Sequence, residues 1–218
     1  MLTEEACMTD ATQEDNLGKT LFRVAWAAVL FGVLLEGLVL LIAAEFGTLK
    51  SYKPFLADLG YKVSWSVIVC IGLALGTVAI QKRELMMGLL GLIAGPIGFY
   101  VARAVHKGAL QALDVAADNP GFNPLVVASL KGLEYGVLGI ALGAIQKKAW
   151  GGAVAHGVAG AAVGLVFGSL IVYVLMTSAP KPIPYPALVG RAVNELLFPL
   201  GCAMVLYTAE IMGKKLSR

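Results

Sequence analysis

Charge is scarce in this chain. Only 14% of its residues are Asp, Glu, Lys or Arg, whereas 58% are hydrophobic and the mean hydropathy is +0.80. A soluble domain carries about 25% charged residues, and the few charges here cluster between long apolar runs. They cannot build a water-exposed surface of ordinary extent, which excludes a large extramembrane catalytic domain and points to a membrane protein. Cysteine is scarce too. Cys7, Cys70 and Cys202 are far apart and two lie in apolar runs, so a disulfide framework or a CxxC metal site is not indicated and the thiols are read as buried or free. The two histidines, His106 and His156, have no second histidine at i+3 or i+4, which excludes a HExxH zinc motif. GxxxxGKS or GxxxxGKT loops and a GxSxG elbow are also missing. The chain is therefore not expected to be an enzyme, and no cofactor or metal is expected.

The net charge of +3, from 17 basic and 14 acidic residues, is too small to suggest nucleic acid as a partner. Residues 1–20 are polar and acidic, with Glu4, Glu5, Asp10, Glu14 and Asp15. They lack the charged start, short apolar stretch and cleavage site of a signal peptide, and are expected to be flexible.

What is abundant is apolar sequence. About 20 apolar residues span roughly 30 Å of hydrocarbon, and six stretches qualify: 22–46, 64–81, 85–105, 124–146, 150–177 and 186–212. Runs such as Val24–Ala44 are apolar throughout but for Glu36, unlike the alternating strands of a membrane β-barrel. The fold class is thus all-α, polytopic, with a six-helix domain over 21–213 and a basic tail over 214–218. The tight turns Gln81-Lys82-Arg83 and Gln146-Lys147-Lys148 must share one side, and Lys214 and Lys215 lie there as well. Basic residues near span ends favour the cytoplasm, so by a narrow margin both termini are expected inside the cell membrane, with loops 47–63, 106–123 and 178–186 outside. Residues 107–118, ahead of Asn119-Pro120-Gly121, read as a short interfacial helix or a solvated connector. Pro180, Pro182, Pro184 and Pro186 make the last loop stiff.

Two patterns recur. Gly72-Leu-Ala-Leu-Gly76 with the following Ile-Gln-Lys resembles Gly139-Ile-Ala-Leu-Gly143 and its own Ile-Gln-Lys, a candidate parallel repeat. An alternative pairing, Leu35-Glu36-Gly37 with Leu133-Glu134-Tyr135, would make the repeat inverted, as in several transporter folds. Glycine ridges run through the third span, with Gly88, Gly91 and Gly95, and the fifth, with Gly160, Gly164 and Gly168. In lipid, close backbone approach carries helix packing, so these glycines are expected at contacts within the chain or between copies in a homo-oligomer. Pro96 is expected to kink its span.

Ionisable groups at mid-bilayer face the bundle interior or water and mark functional positions. Glu36, Glu134 and Glu195 lie inside spans. Lys131 precedes Glu134 by three positions and Arg191 precedes Glu195 by four, so each pair shares a helix face as charge partners. Glu36 has no basic neighbour within reach on its own helix and needs a partner from another span, water or a proton, which makes it the prime candidate proton carrier. Pro199 cannot return an N–H to the carbonyl of Glu195, so that carbonyl, the carboxylate and Asn194 offer oxygens of the kind that hard cations prefer. His156, about two turns into its span, is a candidate relay, ligand or interhelical hydrogen-bonding group. Trp26, Trp65, Trp150, Tyr52, Tyr61 and Tyr185 read as an aromatic belt at span ends.

The run Leu197–Glu210 resembles a helix of the formate and nitrite channel family. That family is longer and carries the helix early, so no membership is drawn from the likeness. The expectation is a small transporter or channel that moves a proton or small cation past Glu36, Glu134, Glu195, Asn194 and His156. The alternative is a structural or accessory subunit whose partners, besides the lipid bilayer, are other membrane subunits.

Overall fold

The computed structural model describes residues 2–48, 52–77, 82–116 and 122–216, with side chains described over 17–48, 52–77, 82–116 and 122–212. Among these residues there are six α-helices and no strand: α1 (Leu2–Glu45), α2 (Tyr52–Gly76), α3 (Arg83–Ala112), α4 (Pro124–Ile145), α5 (Ala153–Ser178) and α6 (Tyr185–Leu216). Each contains a stretch of 22 to 30 residues long and apolar enough to cross a membrane. Hydrocarbon offers no partner to backbone N–H and C=O groups, so continuous apolar runs fold into helices that satisfy their own. The protein is a multi-pass, all-α membrane protein.

Helix ends follow local chemistry. Asn123 caps α4 by accepting from the Leu125 N–H at 3.0 Å, with Pro124 in the first turn, where its missing N–H costs nothing. At the end of α1, Gly47 takes φ +62° while the Thr48 N–H donates to the Ala43 carbonyl at 2.9 Å. This is the left-handed stop that glycine allows.

Boundaries differ from the sequence reading in four places. The second span begins at Tyr52, not at 64, which removes most of the loop assigned to 47–63. Lys53, Asp58 and Lys62 look like loop residues, yet each has a partner: the Leu113 carbonyl at 3.0 Å, His106 at 3.1 Å and Glu36. Residues 107–112 continue α3 instead of forming a separate interfacial helix, while Asn119-Pro120-Gly121 lies outside the described residues. The acidic stretch from Leu2 is helical and continuous with the first span, and α6 continues to Leu216.

Each helix packs on its neighbours in the chain, and α6 returns to α1, closing a ring. α2, α4 and α6 also touch one another across the middle. They form the inner triad, and α1, α3 and α5 stand outside it. Gly88, Gly91 and Gly95 of α3 face α4, where a Cβ on Gly95 would come within 2.5 Å of the Lys131 carbonyl oxygen. Gly160, Gly164 and Gly168 of α5 face α6, where a Cβ on Gly160 would lie 2.6 Å from Leu200 Cα. All six are buried within the chain, so they leave no ridge on the bundle surface for a second copy. Gly72 and Gly76 of α2 and Gly139 and Gly143 of α4 approach the same outer helix, α3, from its two flanks.

Candidate functional site: a layer of buried charge

Lys62, Glu134 and Glu195 each lie ten residues beyond the first residue of α2, α4 and α6, and Glu36 lies nine before the end of α1. At about 1.5 Å of rise per residue, these groups share one layer roughly 15 Å from the same end of the bundle. Burial is nearly complete. Glu36, Lys62, Lys131 and Glu134 are 2, 6, 4 and 0% exposed.

The layer holds two ionic groups. Glu36 of α1 pairs with Lys62 of α2, so its partner does come from another span. The sequence concealed that partner by placing Lys62 in a loop. On the other side, the Lys131 ammonium lies 2.7 Å from Glu134 Oε2 and 2.5 Å from Glu195 Oε2. Glu195 therefore pairs with Lys131 across α4 and α6. The expected pairing with Arg191 is replaced: Arg191 is exposed, and among the described residues it forms no ion pair with Glu195.

Aromatic rings surround Lys131. Its ammonium stands 5.3 Å from the Trp65 ring centroid and 5.8 Å from that of Tyr135, close enough for cation–π attraction in a dry setting. Trp65 Nε1 donates to the Tyr135 hydroxyl at 3.2 Å. Tyr61 stacks on Trp65 at 6.0 Å and meets the His106 ring edge-on at 6.2 Å. Tyr61 and Trp65 are thus interior rather than belt residues, because α2 starts twelve residues before the span that the sequence assigned. Trp26, Tyr52, Trp150 and Tyr185 remain outside, each more than half exposed.

The two ends of the bundle differ. Toward the near end, the half-exposed pair Asp58 and His106 meets the Tyr61 ring, which stacks on Trp65 beside Lys131, and the Glu195 side chain keeps 12% exposure. Toward the far end, Val69, Leu73, Leu138, Leu142, Val205 and Leu206 of the inner triad are buried together. The thiols of Cys70 and Cys202, separate in the sequence, are both buried and free in that apolar plug.

Other expected site residues are dispersed. His156 sits one turn into α5, at the far end, with Nδ1 3.0 Å from the Gly152 carbonyl oxygen and its ring 5.1 Å from that of Tyr207. Its Nε2 is buried and has no hydrogen-bond partner among the described residues. Tyr207 follows Glu195 by twelve residues, about 18 Å along a helix, so His156 is not part of the layer. Asn194 Oδ1 is buried and likewise unpartnered among the described residues. The Glu195 carboxylate reaches α4 while its carbonyl lies against Gly168 of α5. The oxygens expected at one place therefore address different helices. Among the described residues, no three His, Cys, Asp or Glu side chains group as metal ligands would.

Close glycine contacts fix the backbone that carries the layer. Gly95 lies against the carbonyl of Lys131, and a Cβ on Gly168 would lie 3.1 Å from the carbonyl carbon of Glu195. Gly168→Val is expected to destabilise the protein by about 1–3 kcal/mol through overpacking. Gly37→Ala, which meets nothing within 4 Å, serves as its control. Thermal denaturation in detergent reads both, and equal melting temperatures would exclude this role for Gly168.

No family model, curated protein or solved structure matches this chain.

Proposed function

We propose that this protein moves a proton or small cation across the cell membrane through the charged layer, with Glu195 and Glu134 as the binding groups and Lys131 as their internal counter-ion. The observation that carries this reading is one buried lysine held by two carboxylates on different helices. Charged groups at such depth are costly and face pathways. The layer's two sides also differ, with the half-exposed Asp58 and His106 toward one end and an apolar plug toward the other. In an alternating cycle, loading Glu195 would loosen its hold on Lys131 and let α6 move relative to α4. The glycine-packed pairs α3–α4 and α5–α6 would move as units. We infer that the termini and the Lys82-Arg83 and Lys147-Lys148 turns face the cytoplasm, following the bias of basic residues.

The test is flux in proteoliposomes with an imposed pH gradient, varying Na⁺ and K⁺ in turn. Glu195→Gln is expected to cut flux by about tenfold or more, equivalent to at least about 1.4 kcal/mol of barrier. Unchanged flux in folded variant protein would exclude Glu195 from the path. A second reading, an accessory subunit of a larger membrane complex, is favoured by the open apolar side of α1. Only 22% of its most apolar window is buried in the chain, and Phe22, Trp26, Leu30, Leu34 and Leu41 are exposed. Silence in flux with stoichiometric co-purification of another membrane protein would support that reading.

A further inference from the structure

The buried charges of the layer do not sum to zero. Glu36 and Lys62 offset one another, but Lys131 alone faces both Glu134 and Glu195. Fully ionised, these three groups carry one excess negative charge. Among the described residues, no second cation forms an ion pair with them. α2 brings Tyr61 and Trp65 to this region, α4 brings Tyr135, and α6 brings Cys202. Arg103 of α3 directs its guanidinium to Phe99 and Phe122, at 5.3 Å from each ring centroid, and Arg191 of α6 is exposed. Neither arginine forms an ion pair with Glu134 or Glu195 among the described residues. Glu134 is fully buried, and its Oε1 has no hydrogen-bond donor among the described residues.

An excess charge in a dry interior is removed by taking up a proton or a cation. When two carboxyl groups share one site, the second ionises beside the charge of the first, so a single proton is readily retained. A metal ion would have to settle against the Lys131 ammonium, where like charges meet without water between them. A proton needs only an oxygen lone pair. We propose that Lys131, Glu134 and Glu195 together hold one exchangeable proton on their two carboxyl groups, and that Lys131 is the resident cation that excludes alkali-metal ions. As the identity of a transported species, this rests on the transport reading above. As a statement of what the layer holds, it is measured without transport.

Infrared difference spectroscopy of the protein in lipid at neutral pH reads the proton as a deuterium-sensitive carboxylic acid band. The band is expected in the wild type. It is expected to vanish in both Glu134→Gln and Glu195→Gln, because the remaining carboxylate then pairs one-to-one with Lys131. A wild type without the band, or a band that persists in both variants, would overturn the proposal. Lys131→Met should convert the site to one that takes up ²²Na⁺, with a melting temperature that rises with Na⁺, whereas the wild type shows neither. If Lys131→Met does not fold, ²²Na⁺ binding to the wild type that Glu134→Gln abolishes would still refute exclusion. Proton or cation flux without the acid band overturns this inference and leaves transport standing. The band without flux supports the inference and removes transport.

Discussion

Lys131→Met is expected to cost about 3–5 kcal/mol of stability, the range for removing one partner of a buried ion pair. The loss arises from what stays behind. Glu134, fully buried, and Glu195, with 12% of its side chain exposed, lose the only ammonium in contact with either among the described residues. Methionine keeps the length of the side chain against Trp65 and Tyr135, so packing changes little and the charge effect dominates. Each carboxylate removed alongside should restore stability in part. Lys131→Met with Glu134→Gln still strands Glu195, and Lys131→Met with both Gln changes leaves no charge. The expected order of melting temperatures in detergent is therefore triple above double above single. Equal damage in all three would show that the aliphatic stem of Lys131 matters and its charge does not.

Trp65→Ala is expected to be of similar size, about 3–5 kcal/mol. Trp65 is 2% exposed and its ring meets Phe99 of α3, Tyr135 of α4 and Phe198 of α6 at centroid distances of 6.2, 5.9 and 6.1 Å. One side chain therefore joins α2 to three other helices. In a bilayer the lipid is as apolar as the core, so the loss comes from dispersion contacts forfeited around a cavity. The Tyr135 hydroxyl also loses its donor. Trp65→Phe should recover most of the packing and leave a deficit of about 1 kcal/mol for the missing hydrogen bond. Titration with a denaturing detergent, followed by circular dichroism, measures both variants. A Trp65→Ala protein as stable as the wild type would show that the centre of the bundle repacks freely.

Parts of this architecture were legible from residue order. The six spans follow from apolar runs, since hydrocarbon admits few other ways to satisfy a backbone. Glu134 with Lys131 was legible for a local reason: three positions apart on a helix, they share a face. The short turns at 82–83 and 147–148 fixed the alternation of helices. Other features were hidden. Window hydropathy excluded Lys53–Lys62 from a span because charges look unfavourable until their partners are known. Losing that segment hid Lys62, misplaced Tyr61 and Trp65 at the membrane surface and left Glu36 without a counter-ion.

By itself, the sequence determined that this chain crosses the membrane as helices and that carboxylates lie within them. Both are consequences of composition and of spacing within one helix. Only the tertiary structure decided which charges meet. The choice of Lys131 over Arg191 as the partner of Glu195, and the meeting of Lys62 with Glu36, depend on which faces α1, α2, α4 and α6 turn toward one another. That rotation is set where Gly95 and Gly168 let neighbouring backbones touch and where Trp65 fills the centre. These contacts join residues far apart in the chain, and no local pattern records them.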